Sequence, residues 1–196
     1  MLLKEESKSN VIRIVTRNEH KFREASYVLS LMGIKSVQIP IKRLEIQSEN
    51  LEDIALIGAR DAVKNVGKPI VVEDAGLFIN YLNGFPGPYS SYVFKTIGID
   101  GILRLMNNVK DRRAKFSSVI AYCDLDGKCR IFKGITYGKI SLKPRGSSGF
   151  GFDPIFEPEN CGGLTYAEMS FEEKCKISHR AKAFKAFGEW FLRYVN

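Results

Sequence analysis

Pro69-Ile-Val-Val-Glu-Asp-Ala-Gly76 is the stretch of this sequence that decides its fold and its chemistry. Residues 70–72 form an apolar, β-branched run, which is typical of a strand buried on both faces. The carboxylates of Glu73 and Asp74 follow that run directly, at the place where ligands collect in α/β sheets. Such a pair can hold Mg²⁺ through oxygen, and the ion can neutralise phosphate charge and activate water. A solvated strand end is an equally common use of two acids, so both explanations stay open at this point.

Strand and helix patterns alternate on the N-terminal side of this stretch. The β-branched residues 11–15 predict a first strand, and the apolar spacing over residues 19–32 predicts a helix that follows a tight turn. A second strand is predicted over residues 34–40, and an irregular segment follows it. Asn50 is suited to cap a helix over residues 51–66, with Gly67 just past its end.

The same alternation continues on the C-terminal side. Asp126-Gly127 predicts a hairpin turn between two strands, and Ser170 with Glu173 forms the pattern of a capping box. The predicted elements are a Gly- and Pro-rich loop over 83–89, a helix over 101–106, strands over 115–124 and 129–137, a loop over 143–153, and a helix from 171 to the C-terminus. Together these elements predict a mixed α/β fold.

Length and composition restrict the possible functions. The 196 residues carry 30 Lys and Arg against 22 Asp and Glu, and the net charge of +8 favours anionic partners. These basic residues are spread along the chain, which argues against a nucleic-acid-binding tail. Residues 1–10 are polar and lack the apolar core of a signal peptide, and no apolar run approaches the ~20 residues of a membrane span. We therefore expect one domain over residues 1–196 with a polar N-terminal extension over 1–10, in the cytoplasm and without a membrane or nucleic-acid partner.

The four cysteines are expected to be free thiols in a reducing compartment. Cys123, Cys129, Cys161 and Cys175 form no CxxC pair, and no histidine lies beside them at the spacing of a zinc site.

Thr16-Arg-Asn-Glu-His-Lys21 lies where the first strand turns into the first helix. A helix start presents free backbone N–H groups and a positive dipole end, which suit a phosphate, and Lys21 adds a charge. Ordinary capping by Thr16 or Asn18 explains the same residues more simply, since caps are far commoner than phosphate sites. The glycine-rich turn of a Walker loop is missing.

Two further motifs carry groups that suit a nucleotide. Gly149-Phe-Gly-Phe-Asp-Pro154 alternates glycine with aromatic side chains, which can stack on a nucleobase or fill the core of a structural turn. Lys174-Cys-Lys-Ile-Ser-His-Arg180 places three donor side chains near a helix start, where they can bind carbonyl or phosphate oxygens or form a capped, basic helix surface.

These segments, in this order, resemble the inosine/xanthosine triphosphate pyrophosphatase family over residues 11 to about 187. The most specific parts are Thr16-x-Asn18-x-x-Lys21, Glu73-Asp74-x-Gly76-Leu77, Asn83-Gly-x-Pro-Gly-x-Tyr89, Gly149-Phe-Gly-Phe-Asp-Pro154, and Ala167-Glu-Met169 followed by Ser178-His-Arg180. The resemblance implies an elongated α/β structure with two lobes and a central cleft, usually a homodimer. It also implies a Mg²⁺-dependent enzyme that cleaves deaminated purine triphosphates (ITP, dITP, XTP) between the α- and β-phosphates.

The resemblance implies roles for single residues. Asp74 and Glu73 match the catalytic acids, and Glu45 with Asp74 matches the acids that bind the metal. Substrate-binding positions are matched by Thr16, Arg17, Asn18, Lys21, Ala75, Phe150, Gly151, Phe152, Asp153, Lys174, Ser178, His179 and Arg180. His179 and Arg180 would donate to the 6-keto group of hypoxanthine or xanthine, and a site built for that acceptor can reject a 6-amino group by ~10⁴-fold or more.

The chain departs from the family pattern at two places. Residue 58 is glycine, and Ser91 follows Ser90 after the Tyr89 motif, where many members have a basic residue. Both departures remove possible phosphate contacts. Compensating charge could come from Arg60, Lys64 or Lys95.

Two other functions stay open beside this one. A related hydrolase that clears modified pyrimidine nucleotides would share the reaction class but not the substrate. A single-strand-binding module would use the +8 charge and the 11% aromatic residues, although the chain has no basic cluster or RNP-type pattern.

Overall fold

A computed structural model describes residues 11–195 of the chain. The polar extension expected over residues 1–10 lies outside this range. Within it, no helix combines the length and the apolar character that crossing a membrane requires.

Seven strands of the described range form one mixed sheet in the order β2-β1-β3-β5-β6-β7, with the short β4 paired to β3. The strands are β1 (Val11–Val15), β2 (Lys35–Ile39), β3 (Ile70–Ile79), β4 (Pro86–Gly87), β5 (Arg113–Cys123), β6 (Cys129–Ile140) and β7 (Phe156–Pro158). β1 runs parallel to β2 and to β3, whereas the other pairs are antiparallel. The predicted α/β class is confirmed.

Six α-helices accompany the sheet over the same residues. They are α1 (Glu19–Ser30), α2 (Leu51–Val66), α3 (Ser90–Thr96), α4 (Gly98–Leu105), α5 (Phe171–Ile177) and α6 (His179–Tyr194). The bounds predicted for β1 and α2 are confirmed, and so is the Asn50 cap, whose side chain accepts from the Glu52 N–H. The capping box of Ser170 and Glu173 is also present.

Three predictions differ most from the structure. β3 continues through Glu73 and Asp74 to residue 79, so the acidic pair lies in the middle of a strand and not at its end. The strand stays extended because β5 pairs with all ten of its residues. The helix predicted from residue 171 onward is two helices, because Ser178 has an extended backbone and caps the second one. Helix α3 was not predicted at all.

Three hydrophobic clusters divide the sheet into two lobes. In the first lobe, one cluster packs α1 and α6 on one face of the sheet, and a second packs α2 on the other face. The third cluster forms the second lobe around Leu77, Phe116 and Ile140, at the far ends of the long strands. Between the two lobes β3 carries Glu73-Asp74-Ala75-Gly76, opposite Ser117 and Ser118 of β5. The polar part of these strands therefore lies in the cleft between two apolar cores.

The expectation of four free thiols is wrong for one pair. Cys123 and Cys129 form a disulfide at the end of the β5–β6 hairpin, where they lie directly opposite each other with Cα atoms 4.2 Å apart. The register of the hairpin is what brings the two residues together. Their six-residue separation in sequence does not by itself indicate a pair. Cys161 and Cys175 are free.

Candidate active site

Glu73 is the centre of a buried charged network in the cleft. Its Oε1 atom accepts from Ser118 Oγ at 2.7 Å and from Arg180 Nε at 3.1 Å. Its Oε2 atom lies 2.9 Å from Lys21 Nζ. The three contacts come from β5, α6 and α1, so this one carboxylate joins three elements to β3.

The network continues from Arg180 through a second buried acid. Arg180 Nη1 donates to Glu24 Oε2 at 2.6 Å, and Glu24 Oε1 accepts from Lys174 Nζ at 2.7 Å. Lys174 also donates to Asp153, whose Oδ2 accepts the Phe150 N–H at 2.8 Å. Five of the six charged side chains in this network, all except Lys21, are at most 5% exposed. The six charged groups alternate in sign and sum to zero, which is how charge can be buried without an unpaired ion.

The pKa values follow from burial and from these neighbours. Burial alone would raise the pKa of Glu73, but Arg180 and Lys21 outweigh it and hold the pKa well below its usual range. The pKa of Glu24 is lowered for the same reason, against the effect of burial, by Arg180 and Lys174. Burial instead raises the pKa of Asp153, because Lys174 only partly offsets it. Glu73 is therefore a fixed anion.

Asp74 is the acid that faces away from this network. Arg43 Nη2 donates to both of its carboxylate oxygens, at 2.9 and 2.8 Å, and the same nitrogen lies 3.8 Å from Glu45 Oε1. The Asp74 side chain is 18% exposed, against 4% for Glu73. Burial raises the pKa of Asp74 despite the lowering effect of Arg43. The two acids of the pair thus differ in solvent access and in basicity.

The turn before α1 is held together by capping. Thr16 Oγ1 accepts from the Asn18 N–H, and Asn18 Oδ1 accepts from the Lys21 N–H, both at 3.1 Å. Arg17 and Asn18 are exposed, and Ala75 is partly exposed in the neighbouring strand. The capping contacts of Thr16 and Asn18 are thus present, and Lys21 belongs to the charged network. Binding of a phosphate by this turn stays a prediction.

The glycine- and phenylalanine-rich loop divides its two aromatic residues between site and core. Phe150 is partly exposed and stacks on His20 with ring centroids 5.0 Å apart. Lys174 Nζ and Arg180 Cζ lie 4.8 and 5.5 Å from its centroid. Phe152 is only 3% exposed and packs edge-on against Phe94. Of the two aromatics in this motif, only Phe150 lies beside the charged network.

The Ser178-His-Arg180 motif is buried throughout. Ser178 Oγ caps α6 by accepting from the Ala181 N–H. The His179 ring stacks on Phe116 at 4.6 Å, and its Nδ1 atom is buried with no partner among residues 11–195. Burial first, and Arg180 second, lower the pKa of His179 well below its usual value, so the imidazole is neutral. The structure places this histidine against Phe116 and Tyr166 of the second lobe.

Gly58 lies against a basic residue other than the three that could compensate for the missing charges. Arg60, Lys64 and Lys95 are all exposed on the protein surface. The side chain next to Gly58 is that of Arg43, since a Cβ atom at residue 58 would lie 2.4 Å from Arg43 Nη1. Arg43 comes from the irregular segment before α2, a segment in which sequence patterns gave no position for side chains.

Glu24 and Ser118 are the other site residues that the sequence analysis missed. Glu24 lies three residues after Lys21 and four before Val28, so all three share one face of α1. An acid on an otherwise apolar helix face was the signal that could have found it. Ser118 had no comparable signal, because its contact with Glu73 spans 45 residues of sequence.

The arrangement combines fixed cations with one accessible acid. Lys21, Arg43 and Arg180 contact the two acids in the middle of β3. Cations at this place can attract a polyanion. Among residues 11–195, no group of three or more His, Cys, Asp or Glu side chains is arranged to hold a metal ion. A divalent ion at Asp74 and Glu45 would therefore complete its shell with water or with oxygens of the substrate.

The chain is similar to known proteins over most of its length. The model of the Ham1 family matches residues 12–190. The chain is 48% identical over 184 residues to the dITP/XTP pyrophosphatase of Methanopyrus kandleri, which covers 94% of this chain and 97% of that protein. It is 50% identical over 179 residues to the dITP/XTP pyrophosphatase of Pyrococcus horikoshii, which covers 91% of this chain and 95% of that protein. A solved structure of a HAM1 protein from Coxiella burnetii has a TM-score of 0.82 at 30% identity, covering 93% of this chain and 98% of that one.

Proposed function

The chain belongs to the Ham1 family, and on that premise we propose that it hydrolyses deaminated purine nucleoside triphosphates to the monophosphate and pyrophosphate. ITP, dITP and XTP are the proposed substrates. The observation that carries the proposal is the end-to-end match to a dITP/XTP pyrophosphatase, at 48% identity over 97% of that protein. The match to the family model, over residues 12–190, spans both lobes and the motifs of the cleft.

The triphosphate is bound by the cations at the middle of β3. Lys21 lies at the start of α1, where the helix dipole adds to its charge. Arg17, Asn18 and Ala75 line the same end of the cleft and supply further donors, with Thr16 and Asn18 also keeping the turn in shape. A net charge of +8 draws the tetra-anionic substrate toward this cleft.

Mg²⁺ is the proposed metal, and Glu45 and Asp74 would hold it. Both carboxylates lie within 4 Å of the same Arg43 nitrogen, and this spacing supports a cation site between them. Oxygen ligands in small number suit Mg²⁺, which keeps several waters or phosphate oxygens in its shell. When bound, the metal supplies charge neutralisation for the phosphates.

Asp74 is the residue that takes the proton of the attacking water. Its raised pKa makes it the more basic acid of the pair, and its side chain reaches solvent. Glu73 acts as a positioning residue, because Ser118, Lys21 and Arg180 occupy its oxygens and keep it ionised. This division of roles follows from the contacts of each carboxylate, since the two are neighbours in sequence.

Base selection rests on groups that only donate hydrogen bonds. Lys174 Nζ and Arg180 Cζ lie 4.8 and 5.5 Å from the centre of the Phe150 ring, so a purine bound beside Phe150 would lie next to both cations. Asp153 keeps Lys174 in place. The 6-keto oxygen of hypoxanthine or xanthine accepts from such cations, whereas the 6-amino group of adenine meets them with a second donor. His179, the neighbour of Arg180 in the chain, contributes as a neutral ring that stacks on Phe116.

A homodimer and a cytoplasmic location stay predictions. We propose that the dimer forms through a surface of six large apolar side chains that are each at least 40% exposed. These are Tyr81, Phe85, Tyr89, Tyr92, Phe94 and Ile97. Light scattering on the purified protein would give twice the monomer mass of 22.1 kDa if this is right.

The products of ITP turnover test the proposed reaction. ³¹P NMR with Mg²⁺ should show inosine monophosphate and pyrophosphate in equal amounts, and a chelator should stop the reaction. Inosine diphosphate with free phosphate as the products would show cleavage of a different bond and would rule out a pyrophosphatase.

A further inference from the structure

Arg43 occupies the place between the two acids that are proposed to bind the metal. Its Nη2 atom lies 2.8 Å from Asp74 Oδ2 and 3.8 Å from Glu45 Oε1. The Arg43 side chain is 9% exposed, so the guanidinium is enclosed and does not simply rest on the surface. A guanidinium is a permanent cation, so another cation can reach these acids only by displacing it or by sharing the carboxylates with it.

Gly58 is what allows the guanidinium to lie there. A Cβ atom at residue 58 would come within 2.4 Å of Arg43 Nη1, so any larger residue would force the side chain to move. That Nη1 atom is buried and has no hydrogen-bond partner among residues 11–195. A buried donor without a partner is unfavourable, and the attraction to Asp74 and Glu45 is what keeps the guanidinium in place.

We propose that Arg43 is a resident cation that competes with a divalent metal for Glu45 and Asp74 until a nucleotide is bound. This inference rests on the proposed function, because it takes these acids as the metal site. A divalent ion that approaches the two acids must displace the guanidinium or share the carboxylates against its repulsion. An incoming triphosphate supplies new anionic oxygens for Arg43 and for the metal together, and the unpaired Nη1 gains an acceptor.

The consequence is an ordered use of the site. Without nucleotide the acids are neutralised internally, and the metal binds weakly. With nucleotide the metal and the substrate enter together, so the water-activating charge is assembled only when there is a phosphate to attack.

Mn²⁺ binding to the substrate-free protein tests this directly, with free Mn²⁺ followed by electron paramagnetic resonance. Arg43→Ala should bind Mn²⁺ at least about tenfold more tightly than the wild type. Gly58→Ala keeps every charge but pushes the guanidinium away, and it should also tighten binding. Lys42→Ala removes one positive charge from the adjacent exposed residue and should leave the affinity within about twofold. Adding Asp74→Asn to Arg43→Ala should abolish the gain.

The inference is overturned if Arg43→Ala binds Mn²⁺ no more tightly than the wild type. It is also overturned if Lys42→Ala gains as much affinity as Arg43→Ala, because that would indicate a general effect of charge. If Arg43→Ala does not fold, Gly58→Ala decides the question alone. Hydrolysis of ITP by the wild type is measured separately. Normal hydrolysis with unchanged Mn²⁺ binding refutes this inference only, whereas tightened binding without hydrolysis of any nucleotide refutes the proposed function only.

Discussion

Replacing Glu24 by glutamine is the sharpest test of the buried charged network. Glu24 accepts from Lys174 at 2.7 Å and from Arg180 at 2.6 Å, and it is the only carboxylate among residues 11–195 that hydrogen-bonds both. A charge-assisted hydrogen bond contributes roughly 1.5–3 kcal/mol, and glutamine keeps one acceptor oxygen. Each cation also keeps a second acid, Asp153 or Glu73. We therefore expect the free energy of unfolding to fall by about 3 kcal/mol.

Urea unfolding at pH 7.5 measures this loss, and the melting temperature should fall by about 6–12 °C. Glu189→Gln is the matched control, because Glu189 is exposed on α6 and should change stability by less than about 0.5 kcal/mol. The pH dependence identifies the cause. Since the pKa of Glu24 is lowered on folding from its usual 4.5, its stabilising effect is complete above pH 4.5 and is lost as the pH falls below it. The difference between wild type and Glu24→Gln should therefore shrink at low pH. A loss below about 1 kcal/mol, equal to the control, would refute the buried network as a stabilising unit.

The remaining predictions concern the acidic pair, the buried histidine and one close backbone contact. Asp74→Asn should lower kcat for ITP by ~10² or more, as measured by steady-state kinetics. Glu73→Gln should lower kcat and should also lower the free energy of unfolding by ~2–4 kcal/mol, as measured by urea unfolding. Burial holds the pKa of His179 far below 6.5, so on acidification the unfolded chain binds a proton that the folded chain does not. Between pH 7.5 and 5.5 the free energy of unfolding of the wild type should therefore fall by about 1.4 kcal/mol more than that of His179→Asn. Equal losses would contradict a neutral ring. Gly76→Ala should destabilise the fold by ~1–3 kcal/mol, since its Cβ would lie 2.2 Å from the Gly87 carbonyl oxygen of β4, and an unchanged melting temperature would contradict that close approach.

The sequence was sufficient for the elements that depend on local patterns. The Asn50 cap and the Gly67 stop defined α2 to the residue, because caps and left-handed glycines act within one turn. Asp126-Gly127 likewise located the β5–β6 hairpin.

The errors lie where distant residues override local patterns. β3 was expected to end at Glu73 because the apolar run ends there, but pairing with β5 keeps the polar residues extended. Helix α3 lies directly after a Gly- and Pro-rich loop, and no cap hydrogen bond from Tyr89 marks its start. The hairpin register, which brings Cys123 to Cys129, was likewise not considered for the cysteines.

The candidate site divides in the same way. The order of the motifs along the chain pointed to Lys21, Glu73 and Arg180. In the structure, Lys21 and Arg180 both contact Glu73. Arg43 could not be found, because it lies in an irregular segment and its partner Asp74 is 31 residues away. The sequence also could not show which acid of the pair, Glu73 or Asp74, lies in the buried charged network, because the neighbours of each carboxylate are set by the fold.

A panel of nucleoside triphosphates tests the central claim most directly. Purified protein with Mg²⁺ is given ITP, XTP, dITP, ATP, GTP and dUTP, and pyrophosphate release is measured as kcat/KM for each. The cations beside Phe150 predict that ITP and XTP exceed ATP by about 10⁴-fold, and that a chelator abolishes all turnover. Comparable rates for ITP and ATP would contradict selection by a 6-keto acceptor, and a preference for the pyrimidine would assign the site to a different substrate class.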